Sequence, residues 1–289
     1  MNKIAVIDIG SNSVRLMTIA NGKVLYKKIC TTRLGEGLAF SKNLSSVAIE
    51  RTLDAIASFI SLAKADGMEK TVAFATAAVR SAKNGRAFVD EAWKRLGLRV
   101  EVLSGTTEAE IGILGAIGEK DGAIVDIGGA STEIIAQTDG KISYEKSLDI
   151  GVVRIRDLCG REQEAVNRLA KETVALYGKV NLPKKVYAIG GTATTVGALA
   201  LGLTEYDGKK VTGAVISRGQ VRELADKLFA MTVAEIEKFP CVDKLRADVL
   251  AGGVEWLCAI MEYFRLENVI LSDGDNLEGY AISKGWLNG

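Results

Sequence analysis

Two segments of the chain carry residue types that bind phosphate. In Asp8-Ile-Gly-Ser-Asn-Ser13, an aspartate ends a predicted buried strand and a turn of small polar residues follows. Glycine lets a backbone approach a ligand closely, and backbone N–H groups beside hydroxyl and amide side chains form a concave anion site. Asp126-Ile-Gly-Gly-Ala-Ser-Thr-Glu133 repeats this pattern. The predicted phosphate-binding residues are Gly10, Ser11, Asn12, Ser13, Gly128, Gly129, Ala130, Ser131 and Thr132.

A third glycine turn, Gly190-Gly191-Thr192, follows the predicted strand Val186–Ile189. A helix that begins there would add free N–H groups and the positive end of its dipole, so these three residues are also predicted to bind phosphate. The stretch 186–204 carries no charge, but its glycines and threonines favour a strand, a turn and a buried helix over a membrane span.

The first two segments belong to an internal repeat. At one constant offset, Asp8 aligns with Asp126 and Gly22 with Gly140, and the intervening sequence aligns without a gap. Each copy predicts a strand, a turn, a second strand, a hairpin turn and a third strand. We therefore expect an α/β protein of two similar domains, 1–118 and 119–289, in which the last helix could pack back on the first domain.

The composition limits which residue types could act as an acid, a base or a metal ligand. The chain of 289 residues has a net charge of +1 and no histidine, so acid–base chemistry falls to carboxylates, and a metal would be a hard, oxygen-bound ion such as magnesium. The balanced charge gives no reason to expect a nucleic-acid partner. Four scattered cysteines and an N-terminus without a signal sequence indicate a cytoplasmic protein that has no membrane partner.

Seven segments resemble the exopolyphosphatase / guanosine pentaphosphate phosphohydrolase (Ppx/GppA) family of the actin-like ATPase superfamily, in the family's order and across essentially the whole chain. They are Asp8-Ile-Gly-Ser-Asn-Ser-Val-Arg15, Ala75-Thr-Ala-Ala-Val-Arg80, Leu103-Ser-Gly-Thr-Thr-Glu-Ala109, Val125-Asp-Ile-Gly-Gly-Ala-Ser-Thr-Glu133, Ser147-Leu-Asp-Ile-Gly-Val-Val-Arg154, Ala188-Ile-Gly-Gly-Thr192 and Leu271-Ser-Asp273. The resemblance implies two actin-like (ribonuclease H-like) domains facing a central cleft. The family often pairs, which makes a homodimer an expectation.

The resemblance also implies residue roles. Glu108 would prepare the attacking water, Arg80 would contact phosphate as a catalytic residue, and Arg15 would contribute at a phosphate-binding position. Asp126 and Glu133 would hold Mg²⁺ or Mn²⁺ and order the site, with Asp8 as a third metal ligand and with Glu133 also a catalytic residue. Independently of the resemblance, Thr107 and Glu110 form a capping-box pattern, which predicts Glu108 in the first turn of a helix.

Four functions remain open at this point. The first is hydrolysis of inorganic polyphosphate from its end, and the second is the same chemistry on guanosine pentaphosphate. The third is a non-catalytic regulator that binds polyphosphate or a guanosine polyphosphate. Its support is Thr107, where the family usually carries a second glutamate; the family also differs at Ala130, usually glycine, and at Leu277, usually arginine. A sugar kinase is the weakest alternative.

Overall fold

A computed structural model describes residues 3–288, and these divide into two compact units. The first unit contains the described residues up to Gly118 and those from Asn276 onward, and the second contains Glu119–Asp275. The chain therefore passes between the units at 118–119 and again at 275–276. The expected class, α/β with two sheets, is confirmed.

The first unit is built on a five-stranded sheet of order β3-β2-β1-β4-β5, in which β1, β4 and β5 are parallel and β2 and β3 are antiparallel to their neighbours. Its elements are β1 (Lys3–Ile9), β2 (Ser13–Ala20), β3 (Lys23–Thr31), α1 (Leu38–Ser41), α2 (Ser46–Ala65), β4 (Lys70–Ala75), α3 (Ala77–Ser81), α4 (Gly85–Leu96), β5 (Val100–Val102), α5 (Gly105–Ile117) and α13 (Asn276–Ser283).

The second unit has a six-stranded sheet of order β10-β11-β9-β6-β7-β8. Its elements are β6 (Gly122–Ile127), β7 (Thr132–Thr138), β8 (Lys141–Leu148), α6 (Val152–Cys159), α7 (Gln163–Val174), β9 (Val186–Ile189), α8 (Gly190–Ala200), α9 (Gly208–Val211), β10 (Val215–Ser217), α10 (Arg218–Ala230), α11 (Val233–Ile236), α12 (Ala247–Tyr263) and β11 (Asn268–Leu271). The order β8-β7-β6-β9-β11 repeats that of the first unit, and β10 is an addition at the edge.

The repeat extends to irregular details of the backbone. The register of β2 and β3 shifts between Thr18 and Ile19, and that of β7 and β8 shifts at the aligned pair Ala136 and Gln137. The hairpin turns that follow have left-handed φ at aligned residues, 53° at Asn21 and 51° at Asp139. Two-residue hairpins of this kind match the twist of the strands that they connect.

The cores follow the apolar periodicity of the elements. In the second unit, α12 is buried along most of its length against α7, α10 and α6, because apolar residues cover most of its circumference. In the first unit, α13 packs on α5 and on the face of β1 and β4, where Tyr280 stacks on Phe74 with ring centroids 4.6 Å apart. Stretch 186–204 contains a strand and a buried helix, as expected, but α8 begins directly after β9, so the predicted turn at 190–192 is the first turn of α8. None of the described helices is both long and apolar enough for a membrane span.

Candidate functional site

The candidate site residues of the first unit lie after the carboxyl ends of three adjacent parallel strands. Turn 1 (residues 10–13) follows β1, Arg80 follows β4 on the short helix α3, and Glu108 follows β5 on α5. Parallel strands end at one edge of the sheet, and in open α/β sheets that edge is where ligands bind. The fold therefore brings together residues that are far apart in the sequence.

Glu108 is a buried carboxylate held by an arginine. Nη1 of Arg80 donates to Oε2 of Glu108 at 2.6 Å and to the carbonyl of Leu103 at 3.0 Å, and the hydroxyl of Thr76 donates to Glu108 as well. Burial raises the pKa of Glu108 above that of an ordinary glutamate, and Arg80 opposes this effect. Arg80 and Thr76 thus orient the carboxylate, and burial moves its pKa upward.

The start of α5 differs from the sequence prediction. The helix begins at Gly105 with Ser104 as its N-cap, whose hydroxyl accepts from the backbone N–H of Thr107 at 3.0 Å. The predicted capping box of Thr107 and Glu110 is therefore wrong, because Ser104 caps the helix one turn earlier. Glu108 nevertheless lies in the first turn, as expected.

Asp8 and Arg15 form an ion pair across the first hairpin. They are directly opposed on β1 and β2, and Nε of Arg15 donates to Oδ2 of Asp8 at 3.0 Å. A metal ion at Asp8 would have to compete with this guanidinium, so the geometry does not favour Asp8 as a metal ligand. The charge of Asp8 contributes instead to the raised pKa of Glu108.

Turn 1 is closed by a backbone hydrogen bond and is held by the segment that follows β3. The N–H of Gly10 donates to the carbonyl of Ser13 at 3.1 Å, and the carbonyls of Ser11 and Asn12 accept from the backbone of residues 32–35. Asn12 is 6% exposed, and its side-chain oxygen and nitrogen have no hydrogen-bonding partner among the described residues. A buried amide of this kind requires a partner, which a bound ligand can provide.

Turn 2 (residues 128–131) repeats this construction in the second unit. The N–H of Gly128 donates to the carbonyl of Ser131 at 3.0 Å. The first N–H groups of α6 donate to the carbonyls of Gly128 and Gly129, at 3.0 Å from Val152 and 2.8 Å from Val153. These carbonyls are thereby held by α6. Ala130, where the family usually has glycine, is outside the left-handed region, so its methyl group is accommodated.

Asp126 and Glu133 lie side by side at turn 2. They are direct cross-strand partners on β6 and β7, which places both carboxylates on one face of the sheet. Glu133 is buried, and its Oε1 accepts from the hydroxyl of Ser147 at 2.6 Å. Mg²⁺ is commonly bound through one or two carboxylates, with water and substrate phosphate as its other ligands. This pair fits such an ion, although no group of three or more acidic or cysteine ligands occurs among residues 3–288.

The predicted glycine turn 190–192 is the first turn of α8 and lies against the end of β6. Gly190 has a φ of 80°, and a Cβ there would lie 2.7 Å from Oδ1 of Asp126, so both conformation and space require glycine. A Cβ on Gly191 would lie 1.9 Å from the guanidinium of Arg246, which therefore covers this turn. No motif in the sequence points to Arg246, which lies in an unremarkable segment more than fifty positions downstream.

Two threonines predicted to bind phosphate have buried side chains. The hydroxyl of Thr132 donates to the carbonyl of Ile150 at 2.6 Å and accepts from Nε1 of Trp256 at 2.9 Å. Thr192 is 2% exposed, and its side chain packs against Gly253 of α12. Both side chains point into the core, so the phosphate-binding prediction for Thr132 and Thr192 rests on their backbone N–H groups.

Comparison with known proteins identifies the same family that the sequence motifs resemble, over nearly the whole chain. The model of the Ppx/GppA phosphatase family matches residues 16–285. Exopolyphosphatase 2 of Mycobacterium tuberculosis is 29% identical, and the alignment covers 98% of each chain. The guanosine-5'-triphosphate,3'-diphosphate pyrophosphatase of Vibrio vulnificus is 30% identical over 96% of this chain and 58% of its own.

A solved structure shares the fold closely. The crystal structure of an exopolyphosphatase-like protein superposes with a TM-score of 0.89 at 27% identity and covers 98% of both chains. The family match, the relatives and this shared fold agree with one another. The chain belongs to the Ppx/GppA phosphatase family and is, like the relatives named above, a hydrolase of phosphoanhydrides.

Proposed function

We propose that the protein is an exopolyphosphatase, which removes the terminal phosphate of inorganic polyphosphate by direct attack of water. The observation that carries this proposal is the buried Glu108, which is held by Arg80 at 2.6 Å and is influenced by the charge of Asp8 near the end of β1. Phosphoanhydride cleavage needs positioned phosphate, cations for its oxygen charge and a carboxylate that orients water. The first unit contains residues suited to each of these tasks.

The reaction follows from these roles. Glu108 accepts a hydrogen bond from water and takes its proton as the water oxygen bonds to the terminal phosphorus. The bond from that phosphorus to the bridging oxygen breaks, and its electron pair leaves with the shortened chain. Turns 1 and 2 bind phosphate oxygens through their backbone N–H groups, and Asn12 adds its amide. When bound at Asp126 and Glu133, Mg²⁺ neutralises phosphate charge.

A second candidate substrate is guanosine pentaphosphate. It is favoured by the Vibrio vulnificus relative, whose name specifies a guanosine 5'-triphosphate that also carries a 3'-diphosphate. The match to the exopolyphosphatase covers nearly the full length of both chains, whereas this one covers 58% of the relative. We therefore place polyphosphate first.

The test is phosphate release by the purified protein with Mg²⁺ from long-chain polyphosphate, tripolyphosphate, guanosine pentaphosphate and ATP. We expect the highest kcat/KM for long-chain polyphosphate. A kcat/KM at least tenfold higher for guanosine pentaphosphate would replace the first substrate with the second. If none of the four released phosphate while polyphosphate still bound, the protein would be a regulator and the proposed hydrolysis would be wrong.

Asn12→Ala should weaken substrate binding without destabilising the free protein. The buried amide costs stability in the free state, and a hydrogen bond to a charged phosphate repays that cost on binding. We expect polyphosphate affinity to fall about tenfold or more, and the free energy of unfolding to stay unchanged or rise by up to about 1 kcal/mol. Calorimetric titration and urea unfolding measure both. Asn167→Ala is the control, since it removes another side-chain oxygen that has no hydrogen-bond partner within residues 3–288. Equal affinities for both variants would contradict the assignment.

Removal of Mg²⁺ by a chelator should abolish phosphate release, and either Mg²⁺ or Mn²⁺ should restore it. Asp126→Asn and Glu133→Gln should each raise the Mg²⁺ concentration needed for half-maximal rate about tenfold or more, since each removes one anionic ligand. Glu145→Gln, an exposed glutamate on the neighbouring strand β8, serves as the control. Full activity after exhaustive chelation would exclude the metal role.

The pH dependence of turnover should report Glu108. Its ionised form takes the proton, so kcat should fall as the pH drops through the pKa of Glu108. Since burial raises this pKa, the fall should occur at a higher pH than for an ordinary glutamate. Arg80→Met removes the charge that lowers the pKa and should move the fall further upward. A pH profile of kcat for both proteins tests this, and an acid limb at the same pH in both would contradict the coupling.

A further inference from the structure

A buried hydrogen-bond network connects α12 to the first residue of β7. Trp256 is fully buried, and its Nε1 donates to the hydroxyl of Thr132 at 2.9 Å, which in turn donates to the carbonyl of Ile150 at 2.6 Å. The hydroxyl of Tyr177 donates to the carbonyl of Thr132 at 2.8 Å. Both the side chain and the carbonyl of Thr132 are therefore fixed from the core.

This network lies directly behind turn 2 and its carboxylates. Thr132 follows turn 2 and precedes Glu133, and successive residues of a strand point to opposite faces. Fixing Thr132 on the helix-covered face therefore fixes Glu133 on the other. Ile150, whose carbonyl accepts from the hydroxyl of Thr132, precedes Gly151. A Cβ at Gly151 would lie 2.5 Å from the carbonyl of Gly128. The connection after β8 is thus packed tightly on turn 2 as well.

The duplicated hairpin of the first unit lacks this connection. The residue aligned with Thr132 is Val14, which is fully buried and has no hydroxyl group. Turn 1 is also not followed by a pair of carboxylates like Asp126 and Glu133, because the position aligned with Glu133 is Arg15. The hydroxyl and the second carboxylate therefore occur together in one copy of the repeat and are replaced together in the other.

We propose that Trp256 is a positioning residue for the metal-binding carboxylate: by hydrogen bonding to Thr132, it fixes the start of β7 and thereby the orientation of Glu133 toward a divalent cation. The inference rests on the proposed function, in which Asp126 and Glu133 hold Mg²⁺. Partners that orient a metal ligand typically change metal affinity 10- to 100-fold when they are removed. The role of Trp256 is thus to set metal affinity without touching the metal.

The chain offers a matched pair of substitutions at Thr132. Thr132→Val keeps the shape of the side chain and removes the hydroxyl, and it reproduces the residue found in the first hairpin. Thr132→Ser keeps the hydroxyl and removes the methyl group. A purely structural role would depend on the apolar packing of that methyl group, whereas the proposed role depends on the hydroxyl. Tyr263→Phe is the general control, since it removes a tyrosine bond to the backbone carbonyl of Gly178 in the same unit.

The test uses the full chain labelled with fluorotryptophan and titrated with Mn²⁺ under fluorine NMR. The chain has three tryptophans, and Trp256→Phe assigns the resonance of Trp256. A paramagnetic ion at Asp126 and Glu133 should broaden that resonance. We expect the Mn²⁺ concentration for half-maximal broadening to rise about tenfold in Thr132→Val and to stay within about twofold of wild type in Thr132→Ser and Tyr263→Phe.

A second readout includes Trp256 itself. The Mg²⁺ concentration for half-maximal phosphate release should rise about tenfold in Trp256→Phe and in Thr132→Val, and no further in the double variant, because both remove one interaction. Equal metal affinity in Thr132→Val and wild type, with broadening of Trp256 retained, would overturn the positioning role while leaving the metal site intact. Absence of broadening in the wild-type protein would overturn the metal site itself, and the inference with it.

Discussion

Glu108→Gln should reduce kcat on polyphosphate about a thousandfold, the effect expected when a positioned general base is removed. Glutamine is nearly isosteric, and its amide oxygen can still accept from Arg80, so the site should keep its shape. The loss should appear in kcat, because a group that takes a proton from water acts mainly in the transition state. The affinity for polyphosphate should stay within about twofold of wild type. Phosphate release and equilibrium binding of labelled polyphosphate measure the two quantities.

Glu110→Gln is the matched control for this substitution. Glu110 lies on the same helix, α5, but its side chain is exposed, so the change removes a charge of the same sign without reaching the site. Its kcat should remain close to that of wild type. If Glu108→Gln kept the wild-type rate, or if both variants lost activity equally, Glu108 would not be the residue that prepares water.

Gly279→Ala should lower the free energy of unfolding by about 3 kcal/mol, at the upper end of what overpacking usually costs. A Cβ at this position would lie 1.7 Å from the carbonyl oxygen of Ile111, so α13 and α5 touch at their backbones. Backbone atoms cannot move aside as a flexible side chain can, and the two helices must separate. Since α5 carries Glu108, turnover by the remaining folded protein should fall as well. Urea unfolding and phosphate release test both effects.

Gly105→Ala is the control for this prediction. Gly105 is the first residue of α5, and a Cβ there meets no atom within 4 Å among the described residues. Because alanine has less freedom in the unfolded chain than glycine, the free energy of unfolding should be unchanged or rise by less than about 1 kcal/mol. Equal stability of Gly279→Ala and wild type would show that the helices can separate at little cost.

The repeated hairpins were predictable because short-range signals define them. Each combines a buried strand, a glycine turn and an Asn-Gly or Asp-Gly hairpin, all within about twenty-five residues, and these signals depend on local backbone conformation. The structure extends the repeat to the aligned register shifts at Thr18 and Ala136, which the sequence did not indicate. The ion pair of Asp8 and Arg15 could also have been predicted, since a symmetric hairpin places the two residues opposite each other.

What the sequence left open depends on contacts between distant elements. Trp256 and Thr132 are 124 residues apart, and no spacing indicates that an indole will meet that hydroxyl. The buried positions of Thr132 and Thr192 were missed for the same reason, because a threonine beside a glycine turn can face the ligand or the core. The N-cap of α5 was misplaced since Ser104 and Thr107 are both good N-caps, and the choice between them depends on where β5 ends.

The most direct test of the central claim is the time course of phosphate release from long-chain polyphosphate by the wild-type protein in water enriched in oxygen-18, with Mg²⁺ present. Attack of water on the terminal phosphorus predicts steady release, with one oxygen-18 atom from the solvent in each released phosphate. The same reaction with Glu108→Gln should release phosphate about a thousandfold more slowly. Wild-type protein that binds polyphosphate but releases no phosphate, or releases it without solvent oxygen, would contradict hydrolysis by a water held at Glu108.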